Sequence, residues 1–340
     1  MELKFSPRLQ SARERAKIMN KDMQWYWILL IVVGAIGFLF LCTFPLVGAY
    51  AGHKMSHPNH WDIPSSHKVD VDKGLIHDDF PWKRKAITFL MSDGYVIHGD
   101  YAEKENAKGA VLFAHGYSWT REGMVKYGEM FYQLGYSCFF YDERGHGENK
   151  PALTTMGYLE GRDCAEVAKE VKAKLPKGMT LILDGESMGA ASVLIALQHD
   201  APVDAVIADC PYTSLRRLIK DQLRQAHVAS MYAPMIGLYD KILLHYSPRD
   251  VEPILSAKKN VPILVIHGDS DTMIPYGHSV SLYQANPHTV RLFLTKGCDH
   301  AKSFESDPAR YARWVKEFLD YSVPEKKDGG GEMPRKEKNG

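Results

Sequence analysis

A serine hydroxyl becomes a nucleophile only where the backbone presents it and a base can take its proton. The stretch Gly185-Glu186-Ser187-Met188-Gly189 meets the first condition. Before it runs Thr180-Leu181-Ile182-Leu183-Asp184, apolar and β-favouring, and after it Ala190 to Leu197, small and apolar enough for a packed helix. That is the strand–turn–helix setting of a nucleophile elbow, in which flanking glycines leave room beside a strained serine. The five-residue pattern alone arises by chance in roughly one chain in ten of this length. Its partners therefore decide its meaning.

The base and the carboxylate that orients it must stand at the C-terminal ends of strands, on the same side as the serine. Two loops offer them. After the strand-like run Val261–Ile266 comes His267-Gly268-Asp269-Ser270-Asp271-Thr272-Met273-Ile274-Pro275. After Val290–Leu294 comes Gly297-Cys298-Asp299-His300. The chain order is serine, acid, histidine. Asp269 and Asp271 both stand in the acid loop. Asp299 points away from His300 if that segment is extended, so adjacency argues against their pairing.

The elements that must position these groups alternate. Ala86–Met91 and Tyr95–Tyr101 flank Ser92-Asp93-Gly94, a hairpin signal. A short apolar run at Ala110–Ala114 ends in His115-Gly116, and Met124–Leu134 reads as a helix before a strand at Ser137–Tyr141. Helices at Tyr158–Leu175, Val280–Ala285 and Pro308–Tyr321 and a strand at Ala205–Cys210 complete the alternation. An opening hairpin followed by strand–helix alternation predicts an α/β fold with a mostly parallel, doubly wound sheet. Residues 212–246 interrupt it with helical, Leu- and Met-bearing sequence and are the natural place for a small helical lid.

With these residues in hand, the chain from about Pro81 to Tyr321 resembles the α/β-hydrolase superfamily. It is most similar to the esterase- and lipase-like serine hydrolases. That group carries His-Gly after the third strand, here His115-Gly116, and Asp-x-Arg-Gly-His-Gly after the fourth, here Asp142 to Gly147. It also carries His-Gly-x-x-Asp-x-x-x-Pro before the histidine loop, here His267 to Pro275. The resemblance implies Ser187 as nucleophile, Asp271 as acid and His300 as base. It implies an oxyanion hole made by the backbone N–H groups of Tyr117 and Met188. Its spacing favours Asp271 over Asp269, which reads as a turn former. His115, Arg144 and His146 read as structural, Glu186 as packing beneath the turn, and Trp119 as a wall of the acyl pocket.

The rest of the chain sets the context. With 45% apolar residues and a net charge of +1, the 340 residues can bury a large core and give no reason to expect nucleic acid as a partner. Five scattered cysteines without C-x-x-C spacing read as buried free thiols. No phosphate loop or metal-ligand set appears, so no cofactor and no metal is expected. From Met23 to Gly52 there is no Asp, Glu, Lys or Arg. Its core, Trp25–Val47, is long enough to cross a bilayer, with Trp25, Tyr26 and Trp27 marking one interface and Tyr50 the other. The basic segment 1–24 predicts a cytoplasmic N-terminus and a catalytic domain outside. Cleavage near Ala51, as in a secretory signal, is the competing reading. Residues 48–80 read as a polar stem, with solvated loop around His57 and His60, 81–322 as the hydrolase domain, and 323–340 as a disordered tail.

The expected activity is cleavage of carboxylic esters through a Ser-His-Asp triad and an acyl-enzyme. Peptidase or thioesterase chemistry with the same triad is the alternative, because pocket and lid set the leaving group. A non-catalytic binding protein on this fold is a further one. A short anchor keeps the cleft near the bilayer, which suits lipid esters, cell-envelope acyl groups and small diffusible esters alike.

Overall fold

In a computed structural model, residues 7–323 are described. The first six residues and the expected tail from 324 onward lie outside the described residues. Eight strands form one sheet: β1 (Arg84–Leu90), β2 (Val96–Ala102), β3 (Gly109–Ala114), β4 (Tyr136–Tyr141), β5 (Thr180–Glu186), β6 (Ala205–Asp209), β7 (Ile263–Gly268) and β8 (Val290–Thr295). Their order is β1-β2-β4-β3-β5-β6-β7-β8. The pairs β1/β2 and β2/β4 are antiparallel and the rest parallel. The order reverses around β3, so the ends of β3 and β5 open a crevice at a topological switch point.

The helices are α1 (Pro7–Ser56), α2 (Ile63–Asp72), α3 (Val125–Gln133), α4 (Tyr158–Lys174), α5 (Met188–Gln198), α6 (Leu215–Gln225), α7 (Ala233–Tyr239), α8 (Gly277–Ala285), α9 (Ser303–Ser306) and α10 (Pro308–Ser322). Strand periodicity divides the core. Leu112, Leu183, Val206 and Val265 face one layer and pack with Val167 and Val171 of α4 and Val193 and Leu194 of α5. Their neighbours Val111, Phe113, Ile182, Ile207 and Leu264 face the other, against Tyr127 and Phe131 of α3 and Val315 and Phe318 of α10. Both faces are apolar because helices cover both.

Between β6 and β7 the chain makes an insertion of α6, α7 and a single π turn at Asp240–Leu244. It packs on a third apolar cluster that includes Met188, Tyr212, Leu218 and Ile236. The segment 48–80, expected as a polar stem with loop around His57 and His60, has that loop at 57–62 but is helical on both sides of it. Helix α1 runs on to Ser56 and, after a short break, α2 docks on the domain. The Asp62 carboxylate caps α2 by accepting from the Ser65 amide at 2.7 Å. Ser66 is buried against Thr120, and His67 bridges Glu122 and Asp78 at 2.8 Å each. The polarity of this stretch satisfies partners on the domain surface as well as water, a distinction composition does not make.

Candidate active site

The turn between β5 and α5 holds Ser187 at φ 58° and ψ −114°, a region that L residues rarely occupy. Neither glycine beside it can be replaced. A Cβ on Gly185 would overlap the carbonyl of Gly189, and one on Gly189 would overlap that of Ala114. The turn is locked by the Ser187 amide, which donates to the Asp209 carbonyl at 2.8 Å.

The Ser187 hydroxyl donates to Nε2 of His300 at 2.8 Å, and Nδ1–H of His300 donates to Oδ2 of Asp271 at 2.7 Å. These partners fix the imidazole tautomer. Oδ1 of Asp271 accepts from the amides of Met273 and Ile274 at 2.8 and 2.7 Å. Burial by itself would raise the Asp271 pKa. The hydrogen bonds from His267 and His300 outweigh it and hold this carboxyl well below the usual range. Burial likewise depresses His300, but the bond to Asp271 and its negative charge raise the imidazole above its ordinary value.

Asp269 accepts from the Gly297 amide at 2.6 Å and has no bond to His300. Asp299 accepts from the Thr272 amide and hydroxyl at 2.8 and 2.9 Å and from the His300 amide at 2.8 Å. It therefore clamps the acid loop to the histidine loop.

Met188 occupies the first position of α5, where a backbone amide has no partner within its helix. Tyr117 follows Gly116, which lies beside Glu186 and Ser187. His115 holds this loop: its Nδ1–H donates to the Gly116 carbonyl and its Nε2 accepts from the Glu143 amide, both at 2.8 Å. His146 accepts from the Ser118 amide at 3.2 Å, and its burial pushes its pKa down to about 4. Arg144 pairs with Asp163 through two bonds of 2.7 Å. Glu186 lies beneath the turn and accepts from the Tyr127 hydroxyl at 2.8 Å, with the Lys126 ammonium also at 2.8 Å.

A cavity of about 480 Å³ opens on Ser187. Its walls come from Tyr117 and Met188, from Leu218 and Leu223 of α6, from Ile236 of α7, and from the end of α1. Trp119, expected as a wall, is not among the lining residues. It packs instead against Trp61, with ring centroids 4.7 Å apart. The α1 contribution, Tyr50, Ala51, Lys54 and Met55, is absent from the sequence-based expectation. Ala51 and Met55, one helical turn apart, were the available signal. His267 was also missed as a partner: its Nε2–H donates to the Ile274 carbonyl at 2.8 Å and toward Oδ2 of Asp271 at 3.1 Å, and its Nδ1 accepts from the Ser279 hydroxyl at 2.6 Å.

Among the described residues, the metal-capable group is Cys210, Asp271 and His300, with one ligand atom of each within 4.8 Å of the others. Burial raises the Cys210 thiol far above its ordinary pKa, which disfavours the thiolate a metal needs. The carboxylate and imidazole already satisfy each other.

A doubly wound sheet whose fifth strand ends in such a serine turn is the fold of the α/β hydrolases, and the chain has that fold. The profile described as serine aminopeptidase, S33, matches residues 105–260. The Pyrococcus furiosus esterase Pf2001 superposes with a TM-score of 0.62 at 20% identity, covering 79% of this chain and 98% of that one. The Bacillus subtilis protein YqkD is 28% identical over 262 residues, 74% of this chain and 85% of that protein. The lysophosphatidylserine lipase ABHD12 of Danio rerio is 26% identical over 184 residues, 51% of this chain and 46% of that one.

Proposed function

We propose that the protein is a membrane-anchored serine hydrolase of carboxylic esters. His300 takes the proton of Ser187 as the hydroxyl oxygen attacks the ester carbonyl carbon. The resulting oxyanion sits against the amides of Tyr117 and Met188, fixed donors worth a few kcal/mol each. Collapse breaks the bond to the alcohol oxygen, which leaves with the proton from His300. Water then repeats the sequence on the acyl-serine, and the acid departs. Asp271 holds the imidazole in the required tautomer and stabilises the imidazolium.

One observation favours an ester over the substrate of an aminopeptidase. The cavity at Ser187 is lined almost wholly by apolar groups, with no Asp or Glu among its lining residues. A free α-ammonium would enter it unpaired, at several kcal/mol, whereas an acyl chain fits. The helix from Met19 to Ser56 is long and apolar enough to be a membrane span or a signal sequence. In this reading it is an uncleaved anchor, with the N-terminus cytoplasmic and the hydrolase domain outside.

The test is labelling of the full chain with a fluorophosphonate, with the modified residue located by mass spectrometry. Labelling at Ser187 that is lost in His300→Ala is the expected result. A folded protein that does not label would overturn the reading.

A further inference from the structure

The insertion between β6 and β7 does not sit on the domain alone; it is built against α1. Gly48 of α1 lies so close to Met235 that a Cβ there would overlap it, and Gly52, one turn on, lies equally close to the Tyr239 ring. Paired small residues four apart let two helices approach closely, a packing mode suited to an apolar medium. One turn earlier, Tyr232 packs on Phe44 with ring centroids 5.1 Å apart, and on Phe40 at 6.5 Å.

Phe40 and Phe44 lie within the apolar run that ends at Val47. At 1.5 Å per residue, they put Tyr232 roughly 5–10 Å inside the hydrocarbon end of that run. On the insertion's free surface Met231, beside Tyr232 at this depth, is 52% exposed, and Leu238, Ile242 and Leu243, 46–60% exposed, continue outward past the level of Gly52. Beside them a cleft of about 660 Å³ carries Lys220, Lys241 and Arg249, which form no ion pair among the described residues. An exposed apolar residue at the depth of the acyl chains, followed outward by further apolar residues and cations, is the signature of an interfacial element.

The cavity at Ser187 opens at the same level. Tyr50, the aromatic that marks the end of the apolar run, is one of its walls, and Ala51, Lys54 and Met55 continue that wall over the next turn. The cavity mouth therefore stands about one helical turn, roughly 5 Å, beyond the hydrocarbon, at the level of the headgroups.

We propose that the insertion is a lid seated in the bilayer and that the substrate is a long-chain ester resident in that bilayer. Its acyl chain enters beside Tyr50, where the end of α1 and α6 line the cavity together, and its ester stops at Ser187. The covalent steps are those given above, so the substrate part of the proposal rests on the serine-hydrolase reading. The lid's position does not.

Two measurements on the full chain in phosphatidylcholine–phosphatidylglycerol vesicles separate the two. The first is spin labelling of Met231→Cys, next to Tyr232, in a Cys42→Ala background, which leaves only the four buried cysteines. The label should collide more often with dissolved oxygen than with a water-soluble nickel chelate; the opposite order overturns the lid's placement. The second compares turnover of a bilayer-embedded long-chain ester with that of a short soluble ester. Met231→Ser combined with Leu238→Ser should lower the first about tenfold and leave the second within twofold. An equal effect on both, or none on either, overturns the proposed route while the hydrolase reading stands. If the unmodified protein turns over neither ester and Ser187 does not label, the hydrolase reading fails and the substrate proposal with it.

Discussion

The Tyr117 hydroxyl donates to the backbone carbonyl of Lys54 at 2.6 Å. This bond joins the loop that passes beside Ser187 to the last turns of α1, so the apolar N-terminal helix and the candidate oxyanion loop are fastened together. Tyr117→Phe removes the bond but keeps the backbone N–H. The expected result is a loss of about 1 kcal/mol, read as a melting temperature lower by about 2–4 °C, with fluorophosphonate labelling retained. Loss of labelling would mean that the hydroxyl, and not only the amide, serves the chemistry.

Ser187→Ala should abolish turnover while leaving the fold intact, because the hydroxyl accepts no bond that the turn requires. Among the described residues its one side-chain hydrogen-bond partner is His300. Rate and thermal melt are measured together. A variant that keeps the unmodified protein's esterase rate would show that another group is the nucleophile.

The pH profile follows from the coupling of His300 to Asp271. His300 must be neutral to accept the proton, and its folded-state pKa is raised above 6.5. Activity is therefore lost as pH falls through that raised value, and kcat/KM should reach half its plateau above pH 6.5. Asp271→Asn removes the bond and the charge and leaves burial in command. The midpoint should then move down, and the plateau should fall by about 10⁴-fold. An unmoved midpoint would show that another acid faces His300.

His267 is a positioning residue behind the acid. His267→Phe takes one donor from Asp271 and makes that carboxylate a stronger partner for His300. The acid limb of kcat/KM should therefore move up, the reverse of Asp271→Asn, with kcat lower by about tenfold and KM within twofold. A simple loss of stability would lower the amount of active enzyme without moving the limb.

Arg121 holds the base of the candidate oxyanion loop. Its guanidinium pairs with Asp142 and bonds Asp100 and Glu148, the last two at 2.8 Å, and its amide donates to Asp142 at 2.9 Å. Asp142 is fully buried, so Arg121→Ala leaves a carboxylate without its counter-charge. A loss of about 3–5 kcal/mol is expected in urea unfolding. A loss below 1 kcal/mol would mean that water or another cation replaces the guanidinium.

The local features of this protein were determined by its sequence alone. The glycines around Ser187, the alternation of strands with helices and the charge-free run from Met23 to Gly52 are short-range facts. Each rests on a steric or hydropathic demand met within a few residues. From them follow the strained turn, the doubly wound sheet and the apolar helix. Relations across the chain needed the tertiary structure. Ser187 and His300 are 113 residues apart, and Asp269 and Asp271 differ only in which way a loop turns. The same holds for the indole of Trp119, which found Trp61 rather than the cavity, and for α1, whose end became a wall of it. A side chain's type sets what it can bond or bury. Which partner it meets is decided by complementarity between distant segments, and that complementarity exists only once the chain has packed.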